Sequence, residues 1–312
     1  MNVYISAKNS RSHCKFISKP HFQYFFKETQ TMQKFKLELL FQIIGIGSAS
    51  GLVFRDNSLF IISDNSSVLY EYNMDSKSLE SHKIIEMPTG TPAENIPKAQ
   101  KPDFESIAGF GEDCYIFGSG STENRNRMIH FDVDKKEKIK ETDLTDLYLV
   151  MQSFGNTKPE DFNIEGAVYN GENWFLFNRG NGASGKNGIF TIGGNNLTDD
   201  FSVLYNSYKL PKIKGIQSSF TDAVRVDGKI YFLATVENTK STYDDGAVLG
   251  TFIGRLDIEK MKIDFTQKIT DTHKFEGLTV YKENDKTIEF LLCEDKDNDD
   301  LKSDIYKLTL DK

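Results

Sequence analysis

One pattern recurs five times along the chain, and that recurrence restricts the fold more than any other property of the sequence. Each unit opens with a small or acidic residue followed by a small one. It continues through alternating apolar positions, turns, and returns as an aromatic-rich strand. The five segments read SGLVFRDNSLFIISD (50–64), ESIAGFGEDCYIFGSG (105–120), EGAVYNGENWFLFNRG (165–180), DAVRVDGKIYFLATVE (222–237) and EGLTVYKENDKTIEFLLCED (276–295). The period is roughly 54 to 60 residues, somewhat longer than a typical propeller blade repeat. Between the paired strands lie Arg55-Asp56-Asn57, Gly111-Glu112-Asp113, Asn170-Gly171-Glu172 and Asp227-Gly228. Asx and Gly residues accept the positive φ angles that tight hairpins impose.

Every pair is followed by a third strand: VLYEYN (68–73), MIHFDV (128–133), GIFTI (188–192), TFIGRLDI (251–258) and DIYKLTL (304–310). A more polar fourth strand follows in the first four units, as in LESHKIIEM (79–87) and FSVLYNSYKL (201–210). The fifth unit ends the chain after its third strand, and FKLELLFQI (35–43) supplies the missing one from the other end. The expectation is an all-β, five-bladed β-propeller closed by an N-terminal strand that completes the last blade. Such closure hides the edges an open sheet would expose. A six-bladed ring would need an irregular blade in 88–104, where no strand pair is found. A β-sandwich would not explain a fivefold unit whose two ends fit together.

Composition agrees with a large β core, with 24 Phe and 13 Tyr in 312 residues. The net charge of −8, with both signs interleaved, excludes the basic stripe that a nucleic-acid binder needs. Cys14, Cys114 and Cys293 show neither disulfide nor zinc spacing. No run is long and apolar enough to span a membrane as a helix. Residues 1–32 read as an N-terminal extension without a continuous apolar stretch, and 33–312 as the propeller domain. The expected location is the cytoplasm and the expected state a monomer.

The innermost strand of each blade lines the axial channel, so equivalent positions of the repeat form one ring. Ser50, Glu105, Glu165, Asp222 and Glu276 head those strands. Four converging carboxylates repel one another, and burying unpaired charge is costly. Compensation comes from a hard cation such as calcium, from arginines, from backbone N–H groups, or from raised pKa values. Glu105, Glu165, Asp222 and Glu276 are the candidate metal ligands. Glu105, Glu165 and Arg179 are the candidate catalytic groups, with Arg179 either balancing the ring or clamping an anion. The same glutamates could instead lock the blades together by accepting backbone hydrogen bonds. Arg125 and Arg127 read as solvated loop charges. Asp64, Glu237, Glu294 and Asp295 follow the second strands at comparable places.

Three apparent motifs dissolve on inspection. Gly180 to Lys186 matches the spacing of a phosphate-binding loop, but Asn187 stands where Ser or Thr is needed and a strand follows. Asp295 to Asp300 begins like a calcium loop but lacks Gly at the sixth position and Glu at the twelfth. The histidines show no metal-ligand spacing, and His273, beside the ring motif, is the one candidate acid or base.

The stretches Asp103-Phe104-Glu105-Ser106-Ile107, Ile164-Glu165-Gly166-Ala167, Phe220-Thr221-Asp222-Ala223 and Phe275-Glu276-Gly277-Leu278 resemble the inner-strand motif of phytase-like and SdiA-regulated-like bacterial propellers. That resemblance implies channel-mouth carboxylates that hold calcium and a hydrolase of phosphate esters or lactones. The sequence shows no cluster of Lys and Arg of the kind true propeller phytases use for several phosphates. Two functions follow as expectations: a calcium-assisted hydrolase of a small ester, lactone or phosphoester, or a non-catalytic propeller that binds a small molecule or protein at the channel mouth.

Overall fold

Each strand pair of the repeat folds as an antiparallel hairpin, and the turns are the reason. Asp56 and Asn57 have φ of 45° and 62°, Gly111 60°, Gly171 95° and Asp227 51°, values that Gly, Asn and Asp adopt at low cost. The computed structural model describes residues 33–194, 196–239, 246–296 and 300–312. The expected extension over 1–32 lies outside the described residues.

Strand β1 (Phe35–Ile44) comes first in the chain but belongs to the last blade. Blade one is β2 (Ala49–Arg55), β3 (Ser58–Ser63), β4 (Val68–Asn73) and β5 (Leu79–Lys83). Blade two is β6 (Phe104–Phe110), β7 (Asp113–Gly118), β8 (Arg127–Asp132) and β9 (Glu137–Asp143). Helix α1 (Thr145–Gly155) leads into blade three: β10 (Ile164–Tyr169), β11 (Asn173–Asn178), β12 (Asn187–Gly193) and β13 (Ser202–Tyr208). A two-residue ribbon, β14 (Lys212–Ile213) and β15 (Ile216–Gln217), precedes blade four. That blade is β16 (Ser219–Val226), β17 (Lys229–Glu237), β18 (Val248–Asp257) and β19 (Lys262–Thr270). Blade five is β20 (Phe275–Glu283), β21 (Thr287–Glu294), β22 (Lys302–Asp311) and β1. The protein is therefore a five-bladed β-propeller, and β1 closes it by pairing antiparallel with β22 from Phe35↔Leu310 to Ile44↔Lys302. No strand lies between residues 88 and 103.

Burial follows strand position. The second strand of each blade has a neighbour on both sides and packs both faces, so SLFIIS in β3 is buried throughout. The outer strands β5 and β9 are largely exposed, as LESHK and EKIKETD require. The core is divided into five clusters, each bridging one pair of adjacent blades, including blades five and one around Leu291, Cys293, Leu52 and Tyr70. Apolar contact between blades, rather than within them, closes the ring. Cys114 and Cys293 are buried free thiols of this core, with burial raising Cys114 to about 12.

The helix α1 departs from the all-strand reading of the chain. Its buried Leu147, Tyr148, Met151 and Gly155 lie on one face against the cluster between blades two and three, and Tyr148 Oη donates to Gly118 O at 2.8 Å. Spacings of three, four and seven from Leu144 carry the helical period in LTDLYLVMQSFG (144–155). A single helix of 11 residues set among five repeats is easily taken for a long loop.

Candidate functional site

A β-bulge marks the head of every inner strand. The register slips between Ala49 and Gly51, Phe104 and Ser106, Ile164 and Gly166, Phe220 and Asp222, and Phe275 and Gly277. The extra residue is thus Ser50, Glu105, Glu165, Thr221 and Glu276 in turn. A bulge re-aims one side chain out of the ladder, and here it does so at the same place in all five blades. Asp222 had been aligned with the ring glutamates; the register corrects this by one residue. Thr221 holds the ring position and donates its hydroxyl to Phe275 O at 2.7 Å. Asp222 sits where other blades have Gly or Ser, buried, accepting Ala223 N at 2.7 Å and Leu278 N at 2.6 Å. Burial, the larger effect, pushes its carboxyl well above the usual range despite those two amides.

The other ring carboxylates enter two buried ion networks. In the first, Arg179 Nη1 donates to Glu165 Oε1 at 2.9 Å and lies 3.6 Å from Glu276 Oε1, while Nη2 donates to Glu237 Oε2. Lys274 Nζ is 3.1 Å from Glu276 Oε1, 3.6 Å from Glu237 Oε1 and 3.2 Å from Asp295 Oδ2. In the second, Lys101 Nζ pairs with Asp64 and lies 2.7 Å from Asp103 Oδ1, and Arg125 Nη1 donates to Asp103 Oδ2 at 2.7 Å. Arg125 is 7% exposed, so it is a buried partner of Asp103 and not a solvated loop charge. Arg127 does lie at the surface, paired with Glu141 at 2.8 Å.

Four cations therefore gather at this end of the axis, from positions 101 to 274. Lys101 and Lys274 were missed as site residues. Their only sequence signal is a lysine two or four residues ahead of Asp103 and Glu105, and two ahead of Glu276. Each cation is engaged by carboxylates. Together Asp64, Asp103, Glu105, Glu165, Glu237, Glu276 and Asp295 still outnumber Lys101, Arg125, Arg179 and Lys274.

Both networks carry an excess: three carboxylates face Lys101 and Arg125, and four face Arg179 and Lys274. Oxygens of Asp64, Asp103 and Glu105 come within 4.8 Å of one another. Asp64 Oδ1, Glu165 Oε2 and Asn163 Oδ1 are buried without a hydrogen-bond partner among the described residues. Burial, Glu165, Asp103 and Asp64 drive the Glu105 carboxyl well above its ordinary value, with Lys101 opposing. Burial also raises Glu165 against the pull of Arg179, and raises Glu276 against Lys274. Burial pushes Asp103 up too, but Lys101 and Arg125 together outweigh it and hold that carboxylate low. Of the four predicted metal ligands, Glu165 and Glu276 share Arg179, Glu105 joins Asp64 and Asp103, and Asp222 stands apart in the blade interface.

At the opposite ends of the inner strands the axis opens into a cavity of about 540 Å³, lined by all five blades, including Val53, Ile107, Val168, Val224 and Val280. Phe110, 39% exposed, packs edge-on against Tyr169 at its rim.

Fold and site together define a five-bladed propeller with an axial cavity of mixed lining at one end and a buried, carboxylate-rich charge cluster at the other. The chain belongs to the family of unknown function DUF6929, whose model matches residues 45–310. Among solved structures it is similar to a glutaminyl cyclase from Myxococcus xanthus, with 12% identity over 88% of this chain and 96% of that one, at a TM-score of 0.51. A luciferin-regenerating enzyme is 10% identical over 88% and 95% of the two chains, at a TM-score of 0.45. These likenesses concern the fold alone. No curated protein matches the chain. Among the described residues, no helix is long and apolar enough to cross a membrane.

Proposed function

We propose that the charged axial mouth holds a hard cation such as calcium, and that the protein acts there as a metal-assisted hydrolase of a small ester, lactone or phosphoester. The observation that carries this reading is the surplus of carboxylate at Asp64, Asp103 and Glu105, beside the unpartnered buried oxygens of Asp64 and Glu165. Oxygen donors of this kind suit calcium, and these residues would hold it. A bound calcium ion would polarise a substrate oxygen. Glu105, partly buried at the head of β6, is the group that would take a proton from water. Arg179 keeps Glu165, Glu237 and Glu276 in place and offsets their charge. With both of its terminal nitrogens taken by carboxylates, it is a positioning group rather than an anion clamp.

The test is a thermal melt of the full chain with EDTA, then with calcium restored. Calcium is expected to raise the melting temperature of the wild type and not that of Glu105→Gln. A melt indifferent to both additions would overturn the cation site. Ester, lactone and phosphoester turnover is then compared between the same two proteins.

A second reading, a non-catalytic binding propeller, draws on the other end of the axis. The 540 Å³ cavity, with Arg55, Arg225 and Asp227 in its lining, and the exposed Phe110 suit a ligand that carries both apolar and polar groups. Ligand binding there without turnover at the charged mouth would favour this reading.

A further inference from the structure

Every described histidine has a carboxylate partner, yet one of them is arranged differently. His82 and His130 present Nε2 to Glu71 at 3.0 Å and to Asp113 at 2.6 Å, on the outer parts of blades one and two. His273 instead engages Glu294 Oε1 through Nδ1, at 2.7 Å, just ahead of β20. A carboxylate only accepts, so Nδ1 carries the proton and the neutral ring keeps its lone pair on Nε2. Glu294 ends β21 and is 8% exposed, and Tyr306 Oη of β22 lies 3.3 Å from its second oxygen.

The ring is held on several sides. Its plane stacks on Phe275 at 5.6 Å and tilts against Tyr306 at 4.9 Å. Its backbone carbonyl accepts the Thr251 hydroxyl at 2.7 Å. It also lines a cavity of about 350 Å³, together with Thr272, Lys296, Asp304 and Tyr306. Neither His82 nor His130 lines that cavity. An imidazole oriented by a buried carboxylate and lining a small cavity is the arrangement of a general base.

We propose that His273 and Glu294 form a general acid–base dyad in this cavity, acting on a small, uncharged ester or lactone. The site is separate from the cation reading, although Lys274 and Asp295, next in sequence to the dyad, connect it to the charged mouth. Nε2 takes a proton from water as the water oxygen bonds to the acyl carbon. The tetrahedral adduct then collapses with cleavage of the acyl carbon–oxygen bond. The proton on Nε2 passes to the leaving oxygen, yielding acid and alcohol with the histidine returned to its neutral form. A cavity of this size sits at the lower end of ordinary small-molecule sites. Its two lysines are engaged by acids, Lys274 by Asp295 at 3.2 Å and Lys296 by Asp304 at 2.6 Å, which disfavours an anionic substrate there.

The experiment uses the full chain and p-nitrophenyl acetate, with EDTA present so that a cation at the mouth plays no part. His273→Gln is expected to lower the rate at least about a hundredfold, the lower end of the usual contribution of a general base. Glu294→Gln, at a positioning residue, should lower kcat with little change in KM. His130→Gln, which removes an imidazole paired to an acid elsewhere, should match the wild type. A His273→Gln protein as active as the wild type overturns the proposal. Should that variant fail to fold, nitrogen-detected NMR of the wild type decides: a neutral His273 ring protonated on Nε2 rather than Nδ1 would overturn it equally.

Discussion

The carboxyl of Asp222, in the fourth blade, accepts the backbone amide of Leu278 in the fifth at 2.6 Å, while its other oxygen takes Ala223 N at 2.7 Å. A buried side chain thus straps two neighbouring blades through the channel wall. It also accounts for an aspartate at a place in the repeat where the other blades carry Gly or Ser.

The strap has a pH signature. The folded-state pKa of Asp222 is raised well above that of the unfolded chain, so folding takes up a proton between the two values. Its stabilisation is complete below the unfolded value, near 4, and is lost as pH rises through the folded value. The slope for one proton is about 1.4 kcal/mol per pH unit. Asp222→Asn keeps one acceptor oxygen and sets an amide N–H₂ against the other backbone N–H. It should lose roughly 1–3 kcal/mol at pH 5 and flatten the decline toward neutral pH. Urea unfolding from pH 4 to 8 measures both, and an unchanged slope would assign the proton to another group.

Arg179 serves three carboxylates, Glu165, Glu237 and Glu276, all nearly inaccessible. Arg179→Met leaves them facing one another with Lys274 as the nearest cation. The expected cost is about 3–5 kcal/mol at neutral pH, as for other broken buried pairs. It should shrink on acidification, because protonation removes the uncompensated charge. Denaturant midpoints at pH 7 and pH 5 test this, and a loss as large at pH 5 would mean that packing rather than charge is responsible.

Closure depends on β1. A chain that begins at Gly45 leaves β22 as an open edge and uncovers part of the cluster around Ile43, Leu291 and Ile305. Such an edge invites association between chains. The shortened protein should elute as aggregate or melt at least about 10 °C lower, a shift of a few kcal/mol for a domain of this size. A synthetic peptide spanning residues 33–45, added in trans, should restore the elution and melting of the full chain. A shortened chain that elutes and melts like the full one would show that β1 is dispensable.

Much of this fold can be read from local chemistry. Asp56-Asn57, Gly111, Gly171 and Asp227-Gly228 mark hairpins because few other residues accept their φ angles. The fifth unit lacks a polar outer strand that FKLELLFQI can supply. Blade number and closure are consequences of those two facts. Residues within a few positions of one another set each of them, and repetition multiplies the signal.

What only the tertiary structure decided is which charges meet. Bulge placement depends on how β16 registers on β17, and a one-residue slip exchanges Thr221 for Asp222 at the channel. Arg125 and Arg127 look alike in STENRNRM, yet one is buried on Asp103 and the other lies at the surface. Arg179 meets Glu237 across 58 residues, and Lys101 meets Asp64 across 37. Strand pattern and turn chemistry act over a few residues and are written into the chain where they act. Electrostatic pairing acts through space, so its partners become neighbours only when five blades have closed around one axis.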